Sequence, residues 1–110
     1  MQQMKVPVTE DERAALDAIA RATHMPMSVH IRAAVDEYLH ATRGRGELPD
    51  VAPLLQEAGE PMQTVRVLFP LALRRRLREA KQRTGVPIGA YLRLAMRSYV
   101  VRAQEQAGGR

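Results

Sequence analysis

The chain has 110 residues, no cysteine and a formal net charge of +5. This length accommodates one compact domain or two very small halves, and the lack of cysteine excludes disulfides and thiolate metal sites. No apolar run is long enough to cross a membrane, and residues 1–8 lack the apolar core of a signal peptide. The composition therefore predicts a soluble, cytoplasmic protein.

The charge is distributed unevenly along the chain. Residues 63–110 carry eleven basic and two acidic side chains, whereas residues 1–42 carry four and six, and residues 43–62 carry two and four. This polarisation favours an anionic partner, most simply a nucleic acid. A solvated basic helix face is the alternative explanation.

The first predicted elements are a strand and a helix. Apolar side chains alternate with other types over residues 3–8, which predicts a β-strand with one buried face. Thr9 and Glu12 have the spacing of a capping box, so a helix is predicted over residues 10–23. The inward side chains of these elements are predicted to be Met4, Val6, Val8, Leu16, Ile19 and Ala20.

A second helix and a linker complete the first part of the chain. Pro26 is well placed to begin a helix, and apolar residues recur at three- and four-residue spacing over residues 27–41. Residues 43–62 are rich in glycine and proline and predict a linker, with the pattern of a single helical turn at residues 51–57. The predicted buried face of the helix comprises Ile31, Ala34, Val35, Tyr38 and Leu39.

The same order of elements is predicted again over residues 63–105. A strand precedes a helix that begins at Pro70 and ends at Gly85, and Pro87 opens another helix. The counterpart of Gly85 is His24, a residue type that tolerates positive φ better than most. The predicted inward residues are Val65, Val67, Phe69, Leu73, Leu77, Ala80, Leu92, Ala95, Met96, Tyr99 and Val100.

The two halves are related by an internal repeat. Residues 65–100 align with residues 4–39 at an offset of 61 without a gap. The identical pairs are Val6/Val67, Arg13/Arg74, Leu16/Leu77, Thr23/Thr84, Pro26/Pro87, Arg32/Arg93, Ala34/Ala95 and Tyr38/Tyr99. An internal repeat indicates one structural unit present twice, and such a unit can close its core against its copy.

The repeat predicts how the strands are satisfied. A single strand has no partner within its own unit, and its backbone groups must be hydrogen-bonded somewhere. We therefore expect a mainly α fold with a short two-stranded antiparallel β-ribbon, in which the units at residues 1–42 and 63–105 form one pseudo-two-fold domain. Residues 106–110 are predicted to be a flexible tail.

Three motifs resemble the ribbon-helix-helix (MetJ/Arc-type) family of DNA-binding proteins. They are residues 6–12 (Val-Pro-Val-Thr-Glu-Asp-Glu), residues 28–34 (Ser-Val-His-Ile-Arg-Ala-Ala), and residues 92–95 (Leu-Arg-Leu-Ala) followed by Tyr99 and Val100. The family normally forms homodimers, and this chain resembles a tandem single-chain version, as in TraY-like conjugation proteins. The resemblance implies a sequence-specific double-stranded DNA-binding protein, and a transcriptional repressor that inserts its ribbon into the major groove.

The resemblance also implies that three outward side chains of each strand contact bases. These are Gln3, Lys5, Pro7, Thr64, Arg66 and Leu68. Lys5 and Arg66 would lie near each other at the centre of the ribbon, where guanine O6 and N7 can accept hydrogen bonds from both. Pro7 and Leu68 suit contact with thymine methyl groups. The alternative is that these are solvated strand residues.

Phosphate contacts are implied at the beginning of the second helix of each unit, where backbone amides bind anions. The residues concerned are Met27, Ser28, Ile88 and Gly89. Both helices lack the usual polar cap, so an ordinary helix start is an equal alternative.

Apart from the resemblance, the basic run of Arg74, Arg75, Arg76 and Arg78 on the first helix of the second unit is a candidate for contact with flanking phosphates, with a solvated helix face as the favoured alternative. Arg32 and Arg93 recur at equivalent positions of the two units, but ion pairs near Glu37 or near the helix ends explain them as well as a role in binding does.

No catalytic or metal site is predicted. His24, His30 and His40 do not have the spacing of metal ligands, and no nucleophile is accompanied by a base. We expect a protein that is not an enzyme and needs no cofactor.

Two other functions of the same fold stay open. One is an antitoxin that neutralises a toxin through the acidic first repeat. The other is an accessory DNA-binding protein of a plasmid relaxosome, which acts with a relaxase. In each case a second copy of the chain could bind beside the first on DNA.

Overall fold

Two short strands pair along their whole length and support the helices of the chain. The computed structural model describes residues 2–42, 51, 52, 54 and 62–108. In chain order the elements are β1 (Gln2–Thr9), α1 (Glu10–Thr23), α2 (Met27–Thr42), β2 (Met62–Phe69), α3 (Leu71–Thr84) and α4 (Ile88–Gly108). The predicted mainly α fold with a two-stranded antiparallel ribbon is confirmed.

Most of the predicted linker at residues 43–62 lies outside the described residues. A helical turn was predicted at residues 51–57, and Ala52 and Leu54 within it are helical. At the other end of the chain, α4 continues to Gly108 and so extends into the predicted flexible tail. Gln106 and Ala107 are of residue types that form helices well. Residues 109–110 lie outside the described residues.

The two strands are antiparallel, with Gln2 opposite Phe69 and Thr9 opposite Met62. Side chains alternate between the two faces of the ribbon, as the sequence pattern predicts. The inward side chains of Val6, Val8, Val67 and Phe69 are buried, and those of Met4 and Val65 are partly buried. Because a lone two-stranded ribbon is only marginally stable, the helices packed on this face are essential to it.

The ends of the helices confirm the predicted capping. Thr9 Oγ1 accepts a hydrogen bond from the Glu12 amide at 3.1 Å, and Glu12 Oε1 accepts one from the Thr9 amide at 2.9 Å. His24 ends α1 with a φ of 58°, and Gly85 ends α3 with a φ of 77°. Both residues therefore take the left-handed conformation predicted from their position after a helix.

The two units share one core. α2 and α4 pack against each other, α2 contacts β2, and α4 contacts β1, so each second helix covers the strand of the other unit. His30, Tyr91 and Leu94 are buried although the sequence pattern did not place them in the core. They flank the predicted stripes, and a helix covered on several sides buries more than one stripe.

A buried ion pair joins the beginning of α1 to α4. The side chains of Glu12 and Arg93 are each 9% exposed, and the Arg93 guanidinium donates to both carboxylate oxygens of Glu12. Arg93 Nη1 also donates to the Pro7 carbonyl at 3.4 Å. Its counterpart Arg32 donates from Nη1 to the Leu68 carbonyl at 2.9 Å. Both arginines therefore bind the backbone of the other unit's strand.

Of the two locations predicted for an ion pair of these arginines, the helix end is confirmed for Arg93, because Glu12 lies in the first turn of α1. Glu37 pairs with Arg102 instead. Arg32 has no equivalent of the buried carboxylate, since Leu73 occupies the position that corresponds to Glu12. One unit therefore has a buried ion pair where the other has an apolar side chain.

A second polar cluster shows how the units differ. Thr23 Oγ1 donates to the Ile19 carbonyl at 2.8 Å and forms a hydrogen bond with His30 Nε2, also at 2.8 Å. His30 Nδ1 forms a hydrogen bond with the Tyr99 hydroxyl at 2.7 Å. Both ring nitrogens of His30 are therefore hydrogen-bonded.

In the other unit, a tyrosine occupies the position of His30. Thr84 Oγ1 donates to the Ala80 carbonyl at 2.7 Å and forms a hydrogen bond with the Tyr91 hydroxyl, also at 2.7 Å. The Tyr91 ring lies edge-on to Tyr38, with 6.2 Å between the ring centroids. The same location is therefore filled by a phenol ring in one unit and by an imidazole in the other.

Breaking the buried ion pair should strongly destabilise the fold. Arg93→Met leaves the Glu12 carboxylate buried without its partner, so the free energy of unfolding should fall by about 3–5 kcal/mol. The double variant Glu12→Leu/Arg93→Met copies the apolar residue of the other unit and should recover part of that loss, because the buried charge is removed while the Thr9 amide loses its capping partner. Denaturant unfolding measures both values. Arg21→Gln, in an exposed pair with Asp17, is the control and should cost less than about 1 kcal/mol. A double variant as unstable as the single one would contradict this account.

The Tyr99 hydroxyl should ionise only at high pH. Burial raises the pKa of Tyr99 above its ordinary value, the nearby Glu37 carboxylate raises it further, and Arg102 partly opposes them. The raised pKa predicts that its stabilising contribution is present below the ordinary pKa and is lost as the pH rises through the folded value. In an absorbance titration of phenolate, the part of the signal that Tyr99→Phe removes should titrate at a higher pH than free tyrosine. A removed component that titrates at the pH of free tyrosine would count against this assignment.

Candidate nucleic-acid interface

The outward face of the ribbon collects all six side chains predicted to contact bases. Gln3, Lys5, Thr64, Arg66 and Leu68 are exposed and Pro7 is partly exposed. Leu68 is 49% exposed although it is apolar. The inward face is buried against the helices, so only this face of the ribbon is available to a partner.

The strand register arranges these side chains as three cross-strand pairs. Gln3 lies opposite Leu68, Lys5 opposite Arg66 and Pro7 opposite Thr64. Directly opposed residues of an antiparallel pair have Cβ atoms about 4.5–5.5 Å apart. The prediction that Lys5 and Arg66 lie near each other at the centre of the ribbon is therefore confirmed.

The centre of this face is electrostatically unfavourable in the isolated protein. Like charges directly opposite each other destabilise a ribbon, and none of the six outward residues is acidic. Neither Lys5 nor Arg66 forms an ion pair with any residue that the structure describes. An anionic or acceptor-rich partner would relieve this repulsion.

The two ends of the face are chemically different. One end presents the Gln3 amide beside the Leu68 side chain, and the other presents the Thr64 hydroxyl beside the Pro7 ring. The repeat relates Gln3 to Thr64 and Pro7 to Leu68. The equivalent positions of the two units therefore offer different hydrogen-bonding groups.

The predicted phosphate-binding amides lie at helix starts. α2 begins at Met27 and α4 begins at Ile88, and the first amides of a helix have no partner within it. The Val29 amide donates to the Pro26 carbonyl at 3.1 Å, and the Ala90 amide to the Pro87 carbonyl at 3.0 Å. The amides that precede these, at residues 27–28 and 88–89, are the ones left to bind an anion.

The basic run on α3 has two different roles. The Arg76 guanidinium pairs with Asp36 of α2, with its Nη2 3.4 Å from the Asp36 carbonyl oxygen. Arg74 is partly exposed and Arg75 exposed, and neither forms an ion pair with a described residue. Arg76 therefore joins helices, while Arg74 and Arg75 are available to a partner.

The sequence did not reveal which side chains hold the backbone of the ribbon. Arg32 and Arg93 bind the carbonyls of Leu68 and Pro7, which are themselves outward-facing residues. The repeat relates both pairs of residues, because Arg32 aligns with Arg93 and Pro7 aligns with Leu68 at the same offset. What the sequence could not show was that each arginine crosses to the other unit.

No helix within residues 2–42 or 62–108 combines the length and apolar character needed to cross a bilayer. In the same part of the chain, no three acidic or histidine side chains are grouped as metal ligands.

Part of the chain matches a known protein family. The family model for ribbon-helix-helix proteins of the copG family matches residues 5–41, from the central ribbon residue Lys5 to the end of α2. Comparisons with curated proteins and with solved structures gave no match. Ribbon-helix-helix proteins bind double-stranded DNA and typically dimerise. Residues 5–41 therefore match the copG family of ribbon-helix-helix proteins, whose members are DNA-binding regulators.

Proposed function

We propose that this protein is a sequence-specific double-stranded DNA-binding regulator that acts as a repressor, with the β1–β2 ribbon in the major groove. The observation that carries the proposal is the central pair of facing cations, Lys5 and Arg66, on an exposed ribbon face that has no acidic residue. A two-stranded ribbon fits the major groove, and the O6 and N7 atoms of guanine accept hydrogen bonds from both side-chain types. DNA thus supplies the acceptors that the free protein lacks.

The unlike ends of the ribbon support reading of a non-palindromic site. A glutamine amide bonds adenine N6 and N7, and an apolar side chain contacts the thymine methyl group. Gln3 and Leu68 therefore suit A·T pairs at one end of the ribbon. At the other end, the hydroxyl of Thr64, beside Pro7, can form a hydrogen bond with more than one type of base. Lys5 and Arg66 between them favour guanines.

The helix starts and the basic side chains of α3 are proposed to position the ribbon. Backbone amides at a helix start bind phosphate through their N–H groups and the helix dipole. These are the amides of Met27, Ser28, Ile88 and Gly89, and the side chains of Arg74 and Arg75 extend the contact. Phosphate contacts fix the register of the protein on the duplex but carry no direct sequence information.

We further propose that residues 1–42 and 63–105 are two ribbon-helix-helix motifs fused in tandem, with residues 43–62 as the linker. The support is that each strand pairs with the strand of the other unit within one chain, and that each second helix covers the other unit's strand. A single-motif protein needs two chains to form this arrangement. Fusion lets the two halves of the ribbon differ.

A regulator of this kind works in the cytoplasm, where the chromosome and plasmids are accessible. Repression is the simplest outcome of a ribbon that occupies the major groove at a promoter. A toxin or relaxase gene beside this one would indicate instead an antitoxin or a relaxosome accessory protein, with the acidic first unit as the protein-binding surface.

Removing the central cations should abolish specific binding. Each base contact of this type is worth about 1–3 kcal/mol, so Lys5→Ala/Arg66→Ala should bring the affinity for a site selected from random DNA down to that for unrelated DNA. Electrophoretic mobility shift and fluorescence anisotropy measure both affinities. The control is Arg21→Ala/Lys81→Ala, which removes the same charge from the ends of α1 and α3 and should keep the preference for the selected site.

The same double variant tests the fold independently. Circular dichroism should stay helical, and denaturant unfolding should show equal or greater stability, because two opposed like charges are removed. If selective binding survives the change, the ribbon is not the reader.

The tandem arrangement predicts a monomer. Because both strands come from one chain, gel filtration with light scattering at low protein concentration should give the mass of one chain. On a longer DNA site, we expect two chains to bind side by side. A dimer that persists on dilution would point instead to exchange of strands between chains.

A further inference from the structure

A cavity of about 270 Å³ opens between α1, α2 and α4. The rings of His30 and Tyr99 form one side of it, and Ile19 and Ala103 contribute apolar walls. Arg102 and Glu37 stand at its rim as an ion pair, with their side chains 51% and 47% exposed. None of these residues takes part in the DNA-binding surface proposed above.

The cavity lies where the two units differ. His30 occupies the position that Tyr91 fills in the other unit, where the phenol ring is only 1% exposed. The counterpart of Ile19 is Ala80, whose carbonyl oxygen lies 3.5 Å from the Tyr91 hydroxyl. The imidazole of His30 is smaller than this phenol ring, and the cavity lies beside it.

The charged rim is also specific to this side of the molecule. The positions equivalent to Glu37 and Arg102 are Ser98 and Ala41, which cannot form an ion pair. The Arg102–Glu37 pair is half exposed, and such pairs contribute little stability. It can therefore separate at low cost when a ligand offers replacement charges.

The chemistry of the lining selects a type of ligand. A guanidinium binds a carboxylate through two parallel hydrogen bonds, and the neighbouring Glu37 carboxylate accepts hydrogen bonds from an ammonium group. A ligand with only one charge would leave one of the two rim residues without a partner. Both ring nitrogens of His30 are already hydrogen-bonded, so the floor offers aromatic surface and suits an apolar group.

We propose that this cavity binds a compact zwitterion of the α-amino-acid class that carries an apolar side chain. Its carboxylate pairs with Arg102, its ammonium group with Glu37, and its side chain packs between Ile19, Ala103 and the His30 ring. The volume is below the roughly 300–1,000 Å³ of sites for drug-sized molecules, which matches a ligand the size of leucine or phenylalanine.

The test is a titration of the full-length, ¹⁵N-labelled protein without DNA, followed by NMR chemical shifts. L-Leucine and L-phenylalanine are the probes, and N-acetyl-L-phenylalanine and L-phenylalanine amide are matched compounds that lack one charge each. At least one of the two free amino acids should bind saturably, with a Kd of about 1 mM or tighter. For phenylalanine, each blocked form should bind about tenfold more weakly or worse, because a hydrogen bond to a charged group is lost.

Variants locate the binding. Arg102→Gln and Glu37→Gln should each weaken it by about tenfold or more, and His30→Tyr should abolish it by copying the filled location of the other unit. Arg76→Gln breaks a different exposed ion pair and should leave it unchanged. Because Arg102 and Glu37 are half exposed, their variants keep the proposal testable even if His30→Tyr does not fold. Absence of saturable binding by both amino acids, or binding that Arg102→Gln leaves unchanged, would overturn the proposal.

Discussion

Neither strand of this protein can satisfy its backbone hydrogen bonds within its own unit, and the rest of the structure depends on that constraint. β1 and β2 pair over their full length, which brings two units together that are separated by the linker. Once the strands are paired, their inward faces form one apolar surface. The second helix of each unit then covers the strand of the other, so the shared core is a consequence of strand pairing.

Contacts between the two units also position the outward face of the ribbon. Arg32 and Arg93 each reach from one unit to a strand carbonyl of the other, and the carbonyls belong to residues whose side chains point to the solvent. The ribbon is therefore held by its backbone, which leaves its outward side chains uninvolved in the fold. This separation explains how two opposed cations can occupy the centre of the ribbon, since the buried face and the cross-unit hydrogen bonds compensate for their repulsion.

Local signals predicted the elements and much of the ribbon. The capping box of Thr9 and Glu12, the positions of the prolines and the left-handed residues His24 and Gly85 defined the helix ends, because these depend on nearby residues. The gapless repeat placed Lys5 beside Arg66. Contacts between distant residues could not be predicted, and Glu12–Arg93 and His30–Tyr99 are of this kind. No periodic pattern marks the partner of a single polar side chain, and the packing of α4 on several sides buried Tyr91 and Leu94 beyond the predicted stripe.

The unlike ends of the ribbon give the molecule a direction. A homodimer looks the same when it is turned end for end on its site, but this chain does not, because turning it exchanges the Gln3–Leu68 pair with the Pro7–Thr64 pair. A duplex that distinguishes those ends would hold the protein in one orientation only. The acidic first unit and the basic second unit would then face fixed sides of the site, so that upstream and downstream neighbours meet different surfaces of the same bound chain.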